Sequence, residues 1–135
     1  MTEFSWPVRV YYEDTDAGGV VYYANYLRYM ERARTEMLRS IGFEQDKLAQ
    51  ENNIIFIVRK VTIDYLKPAI FNEELTVNAK MAGLRKASML FEQTILNKQN
   101  DLLCQAEIKI ACINSKTMKP VSIPAFIISE LAHVD

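Results

Sequence analysis

Ala24-Asn25-Tyr26-Leu27-Arg28-Tyr29-Met30-Glu31-Arg32-Ala33-Arg34-Thr35-Glu36-Met37-Leu38-Arg39-Ser40 decides the architecture. At 100° steps, Tyr26, Met30, Ala33 and Met37 share one narrow arc, flanked by Leu27, Tyr29 and Leu38. Arg28, Glu31, Arg32, Thr35, Glu36 and Arg39 take the opposite side. The pattern predicts an amphipathic helix with one broad apolar face to bury. Gly42 stands where its C-terminal cap is expected. Arg34 breaks the pattern, because its angle places a guanidinium inside the apolar arc. It is expected to snorkel or to find an internal partner, the alternative being that it faces a ligand. Glu31 and Glu36 stand at helical pairing distances from Arg34 and Arg32.

On either side of this helix the period changes. Phe4 to Tyr12 is rich in β-branched and aromatic residues and reads as a strand. The loop Glu13-Asp14-Thr15-Asp16-Ala17-Gly18-Gly19 follows. Phe43 to Glu51 suggests a short second helix, and Ile54 to Leu66 a long strand ended by Lys67-Pro68. Leu75, Val77, Ala79 and Met81 alternate with polar residues, and Gly83 is expected to end that strand. Ala87, Met89, Phe91 and Ile95 continue the theme as far as a turn at 97–101. Leu102, Cys104, Ala106, Ile108, Ile110 and Cys112 share parity, which marks a half-buried antiparallel strand. Pro120 and Pro124 close the sheet, and Phe126 to Leu131 suggests a final short helix.

The layout is α+β: one strand, one long helix, then about four consecutive strands. One face of the sheet needs cover, and the helix carries the matching apolar stripe. An antiparallel sheet wrapped around a long central helix, in a single domain over 1–135, satisfies both. Such a sheet has open edges, which edge-to-edge dimerisation would remove.

Composition excludes several kinds of function. The 135 residues are 50% hydrophobic and carry a net charge of −1. A core is affordable without staples, and nothing electrostatic points to nucleic acid. Cys104 and Cys112, on one strand, stand about 26 Å apart at a rise of ~3.3 Å per residue, too far to bridge. Two unpaired thiols suggest a reducing compartment, so a cytoplasmic location is expected. Met1 to Pro7 shows no signal-peptide pattern, and no stretch reaches the ~18 apolar residues of a membrane span. The single histidine, His133, stands near the C-terminus. No zinc-type Cys/His spacing is present, and no cofactor is expected. Any chemistry must therefore be carried by carboxylates, hydroxyls, backbone amides or a cofactor.

Glu13, Asp14 and Asp16 lie within four residues, directly before the glycines and the long helix. A helix N-terminus offers unpaired N–H groups and partial positive charge. A carboxylate beside such donors is the minimum for attack on an ester or thioester: the carboxylate acts as nucleophile or general base, and the amides hold the developing oxyanion. Gly18 and Gly19 permit close backbone approach by a ligand. The plainer reading is a solvated turn or a capping element. A calcium loop is disfavoured, because the regular spacing of oxygen ligands is missing.

Tyr11-Tyr12-Glu13-Asp14-Thr15-Asp16-Ala17-Gly18-Gly19-Val20-Val21-Tyr22-Tyr23-Ala24-Asn25-Tyr26 closely resembles the signature of the 4-hydroxybenzoyl-CoA thioesterase family. Trp6-Pro7-Val8-Arg9-Val10, Met30-Glu31-Arg32-Ala33-Arg34-Thr35-Glu36, Val58-Arg59-Lys60-Val61 and Met118-Lys119-Pro120 look like its Tol–Pal-associated acyl-CoA thioesterase branch. The resemblance covers nearly the whole chain. It implies the hotdog fold and hydrolysis of an acyl-CoA, or an acyl-carrier-protein, thioester. It also implies dimers or tetramers with active sites between subunits.

On this chain the resemblance makes Asp16 the catalytic carboxylate and the backbone amide of Tyr23 the group that polarises the thioester carbonyl. Gly19 and Val20 then border the substrate. Coenzyme A needs cations for its phosphates, and Arg59, Lys60, Arg85, Lys86 and Lys119 are the candidates, against ordinary surface charge. Asn25 either caps the helix, the favoured reading, or approaches the site. There is one departure: most members of the branch carry histidine where this chain has Tyr23. A role for the backbone amide tolerates the exchange, whereas a role for the imidazole would make activity weaker or shift substrate choice. That departure sustains an alternative, a non-catalytic acyl-CoA-binding or scaffold protein of the cell-envelope or phospholipid-synthesis machinery. A hotdog dehydratase would need a histidine, and His133 is poorly placed.

Overall fold

A computed structural model describes residues 3–132, and His133 lies outside them. The chain runs β1 (Phe4–Arg9), α1 (Tyr23–Ser40), α2 (Gln45–Asn52), β2 (Ile54–Tyr65), β3 (Glu74–Leu84), β4 (Ser88–Leu96), β5 (Leu102–Asn114) and α3 (Ala125–Ala132). The five strands form one sheet in the order β1-β3-β4-β5-β2, and every neighbouring pair is antiparallel. Its edges are therefore β1 and β2.

The expected apolar arc of α1 is the core face. Tyr26, Tyr29, Met30, Ala33, Met37 and Leu38 are all buried. They meet the inward parity of the strands, including Leu75, Val77, Met89, Phe91, Ile108 and Ile110. Side chains of this size contribute about 1.5–3 kcal/mol each when removed from water. The helix packs mainly over β1 and β3, and its first turn meets the end of β2 at Tyr65.

Two boundaries, one strand register and one set of side-chain pairings differ from expectation for local reasons. β1 stops at Arg9, because Tyr12–Asp14 winds into a single 3-10 turn held by Asp14 N–H to Tyr11 O and Thr15 N–H to Tyr12 O. Gly83 does not end β3. It follows a bulge, with Met81 opposite Phe91 and Gly83 opposite Leu90, so Ala82 is the extra residue. A second bulge makes Arg59 the extra residue of β2, between Val58 opposite Ile110 and Lys60 opposite Lys109. Within α1 the ion pair joins Arg39 to Glu36, while Arg34 turns inward to the Gln93 amide.

Candidate active site

The chain leaving the acidic loop is pinned twice to Ala69. Val21 N–H donates to Ala69 O at 2.9 Å, and Tyr26 Oη accepts from Ala69 N–H at 3.0 Å. Asp14 is spent on this scaffold. Its Oδ2 accepts the Tyr11 N–H at 2.8 Å, and its carbonyl accepts from Tyr22 N–H and from Asn25 Nδ2, each at 2.9 Å. Asn25 is thus not the helix cap, because its side chain ties the first turn of α1 back to the loop. Glu13 is exposed.

Asp16 is placed differently. Its backbone closes a tight turn: its N–H donates to Val20 O, and its carbonyl accepts from Gly19 N–H at 3.0 Å. Gly19 sits at φ +79, in the left-handed region that glycine enters without strain. The Asp16 carboxylate folds back so that Oδ1 accepts the Gly18 N–H at 2.8 Å. A Cβ on Gly18 would stand 3.2 Å from that oxygen, so the glycine makes room for the carboxylate. Oδ2 has no partner among the described residues.

The turn delivers Asp16 to the N-terminus of α1. The N-cap residue is Tyr22, whose side chain makes no capping bond, and the first turn holds no acidic residue. Asn25 N–H is used by Tyr22 O at 2.8 Å, while the N–H groups of Tyr23 and Ala24 have no backbone partner among the described residues. Asp16, Val20, Tyr23, Tyr26, Tyr65 and Lys67 line one cavity of about 310 Å³. Sequence reasoning missed Tyr65 and Lys67. Their signal was the Tyr65-Leu66-Lys67-Pro68 stretch, which reads only as the end of a strand until Tyr65 is seen against Tyr23, with ring centroids 6.1 Å apart, edge to face.

Three phenols at or beside the cavity hold their protons more tightly than a free tyrosine does. The neighbouring Tyr23 phenol raises Tyr22. Burial raises Tyr26, partly offset by the Ala69 N–H, and burial also raises Tyr65. They offer apolar faces and O–H donors, not bases. Burial pushes the Cys104 thiol up to about 12 and raises Cys112 as well, so neither serves as a nucleophile. No cluster of metal-ligating side chains occurs among the described residues.

The structure brings Asp16, Val20 and Tyr23 together, with Gly19 in the same turn. It does not bring the expected cations to this cavity within one protomer. Arg59 and Lys60 sit mid-way along β2, Arg85 and Lys86 at the β3–β4 turn, and Lys119 near Pro120; all five are exposed. A larger depression of about 610 Å³, over Trp6, Arg28 and Arg32 on the outer face of α1, holds none of the loop residues.

Residues 10–131 match the model of the thioesterase-like superfamily. The chain belongs to that superfamily. It is 47% identical to the acyl-CoA thioester hydrolase YbgC of Escherichia coli O6:H1 over 129 residues, 96% of each chain. It is 44% identical to the acyl-CoA thioesterase YbgC of Haemophilus influenzae, over 97% of this chain and 96% of that one. A crystal structure of a probable thioesterase from Bartonella henselae superposes with a TM-score of 0.87 at 36% identity, over 91% of this chain and all of the other. The fold is the hotdog expected from the resemblance.

Proposed function

We propose that the protein hydrolyses the thioester of an acyl-CoA. The observation that carries this reading is the single cavity shared by Asp16, with its free Oδ2, and the uncapped first turn of α1. The thioester carbonyl lies over the Tyr23 N–H, which stabilises charge growing on its oxygen. Asp16 either attacks the carbonyl carbon itself or takes a proton from the water that does. The C–S bond breaks, and the products are the free acid and coenzyme A thiol. The Tyr23 side chain is 60% exposed and leans on Tyr65, so its contribution comes from the backbone, consistent with tyrosine standing where the branch usually has histidine.

One protomer leaves Asp16 in contact with water, where oxyanion stabilisation is weakened. β2 is an open edge of 12 residues that ends beside the cavity at Tyr65, and both Val58 and Tyr65 are exposed on it. A second copy pairing along β2 would close the site and remove the edge. In this reading the protein is a homodimer or a homotetramer. Arg59, Lys60, Arg85 and Lys86, which make no ion pair among the described residues, hold the coenzyme A phosphates. Gly19 and Val20 border the thioester. The unpaired thiols fit a cytoplasmic location. The branch resemblance extends the reading to acyl-carrier-protein thioesters and to work alongside the Tol–Pal system.

The test is a panel of acyl-CoAs of graded chain length plus an aromatic substrate, followed with a free-thiol reagent. Thiol release is expected, and Asp16→Asn lowers kcat by about 10²–10⁴ with the fold intact. Full activity in that variant would sink the assignment. Binding without thiol release would favour the scaffold alternative.

A further inference from the structure

Arg34 is 7% exposed, and no carboxylate lies within ion-pair distance of it among the described residues. A buried charge without a counter-charge is costly, so its surroundings need an explanation. Nη1 donates to Gln93 Oε1 at 2.8 Å. Gln93 is held in turn by donating through Nε2 to Met30 O at 3.1 Å. The other guanidinium N–H groups have no partner among the described residues, yet they are not sealed in the core. Arg34 also lines a cavity of about 270 Å³, together with Leu38, Phe56, Met89, Phe91 and Ile110. A guanidinium stays charged when buried, so this is a fixed cation in a hollow whose other walls are mostly apolar, with Glu31, Thr35 and Gln45 as their polar members.

That hollow and the Asp16 cavity are each bordered by α1 and β2. α1 and β2 run past each other in opposite senses. Tyr23 and Tyr26 meet Tyr65 at one end, with ring centroids 6.1 and 5.6 Å apart. Arg34 and Leu38 meet Phe56 at the other. Eleven residues at 1.5 Å rise put Arg34 about 16 Å along the axis from Tyr23, and its side chain slopes back toward the N-terminus.

We propose that the far cavity receives the distal end of the acyl group, and that Arg34 selects acyl chains ending in a carboxylate remote from the thioester. The inference rests on the thioesterase reading and names the substrate class. A desolvated guanidinium pairs with a carboxylate through charge-assisted, two-pronged hydrogen bonds, whereas a methyl terminus leaves its donors unpaired. Glu31 also borders the cavity, but from an exposed rim where water screens it.

The test compares suberyl-CoA with octanoyl-CoA, and sebacyl-CoA with decanoyl-CoA, pairs matched in length and differing only at the far end. In at least one pair the carboxylated substrate is expected to show about tenfold higher kcat/KM, equivalent to ~1.4 kcal/mol. Arg34→Met removes that preference while methyl-ended substrates keep their kcat/KM within about twofold. An unchanged ratio in the variant, or an equal loss for both chain ends in a folded variant, would overturn the proposal. Should Arg34→Met not fold, the wild-type protein decides: free suberate raises its melting temperature and octanoate does not, whereas equal effects overturn the idea. The two readings fail separately. Hydrolysis without the preference removes only this inference. Absence of hydrolysis removes the thioesterase reading, and the suberate comparison still decides the role of Arg34.

Discussion

The two ends of α1 are finished in opposite ways. At the C-terminus every device of helix closure is present. Gly42 takes φ +96, its N–H donates to Arg39 O at 3.0 Å, and Phe43 N–H reaches Leu38 O at 2.9 Å. That is a Schellman motif, with an apolar residue following the glycine. At the N-terminus the cap position is a tyrosine that caps nothing, the first turn lacks an acid, and the Tyr23 and Ala24 amides have no backbone partner among the described residues. Ser, Thr, Asp or Asn at that cap would add about 1 kcal/mol. The fold forgoes that stability at one end of the helix and takes all of it at the other. The end left open is the one beside Asp16.

The comparison breaks most directly at Tyr23. It is the first helical residue, the position where proline is best tolerated, and Tyr22 already has the extended conformation that proline demands of its predecessor, at φ −62 and ψ 131. Tyr23→Pro therefore deletes the amide donor without breaking the helix. With Tyr23→Ala as the control for the lost side chain, kcat is expected to fall by a further factor of about 10²–10³, the usual cost of one oxyanion donor. Equal activity in the two variants would show that the amide is not the electrophile.

A smaller effect follows from closing the open end. Tyr22→Ser offers the Ala24 N–H a side-chain oxygen. Stability should rise by about 1 kcal/mol in denaturant titration. A substrate carbonyl that also uses the Ala24 N–H must first displace that bond, which lowers the rate about fivefold. A gain in stability with no loss of rate would mean that Ala24 takes no part.

Much of this asymmetry is visible in the chain itself. The 100° spacing marks the buried face of α1, parity marks the strands, and Gly42 marks the closed end. Arg34 shows its anomaly by angle alone. What a linear pattern cannot carry is long-range pairing. Glu13, Asp14 and Asp16 are equivalent acids until Tyr22 and Asn25 are seen to occupy the Asp14 carbonyl and Tyr11 its side chain. Only then is Asp16 distinct on physical grounds; in the sequence, a family signature was needed to single it out. The bulges at Ala82 and Arg59 depend on the partner strand, so Gly83 reads as a terminator when it lies within a strand. Gln93, buried to 1%, carries no local sign that it anchors Arg34.

The least disruptive change sharpens the contrast from the other side. Gly42→Ala forces an alanine to φ +96, in open space, since nothing lies within 4 Å of the added Cβ. The penalty is therefore backbone strain without a clash, about 1–2 kcal/mol. The site stands about 26 Å away along α1, at 1.5 Å per residue. Denaturant midpoints should drop by the corresponding amount, while kcat and KM at Asp16 stay at wild-type values. Tyr22→Ser and Gly42→Ala thus move stability in opposite directions, and only the first touches the rate. A loss of activity in Gly42→Ala at temperatures where it is fully folded would show that the two ends of the helix are coupled, and that the closed end also serves the reaction.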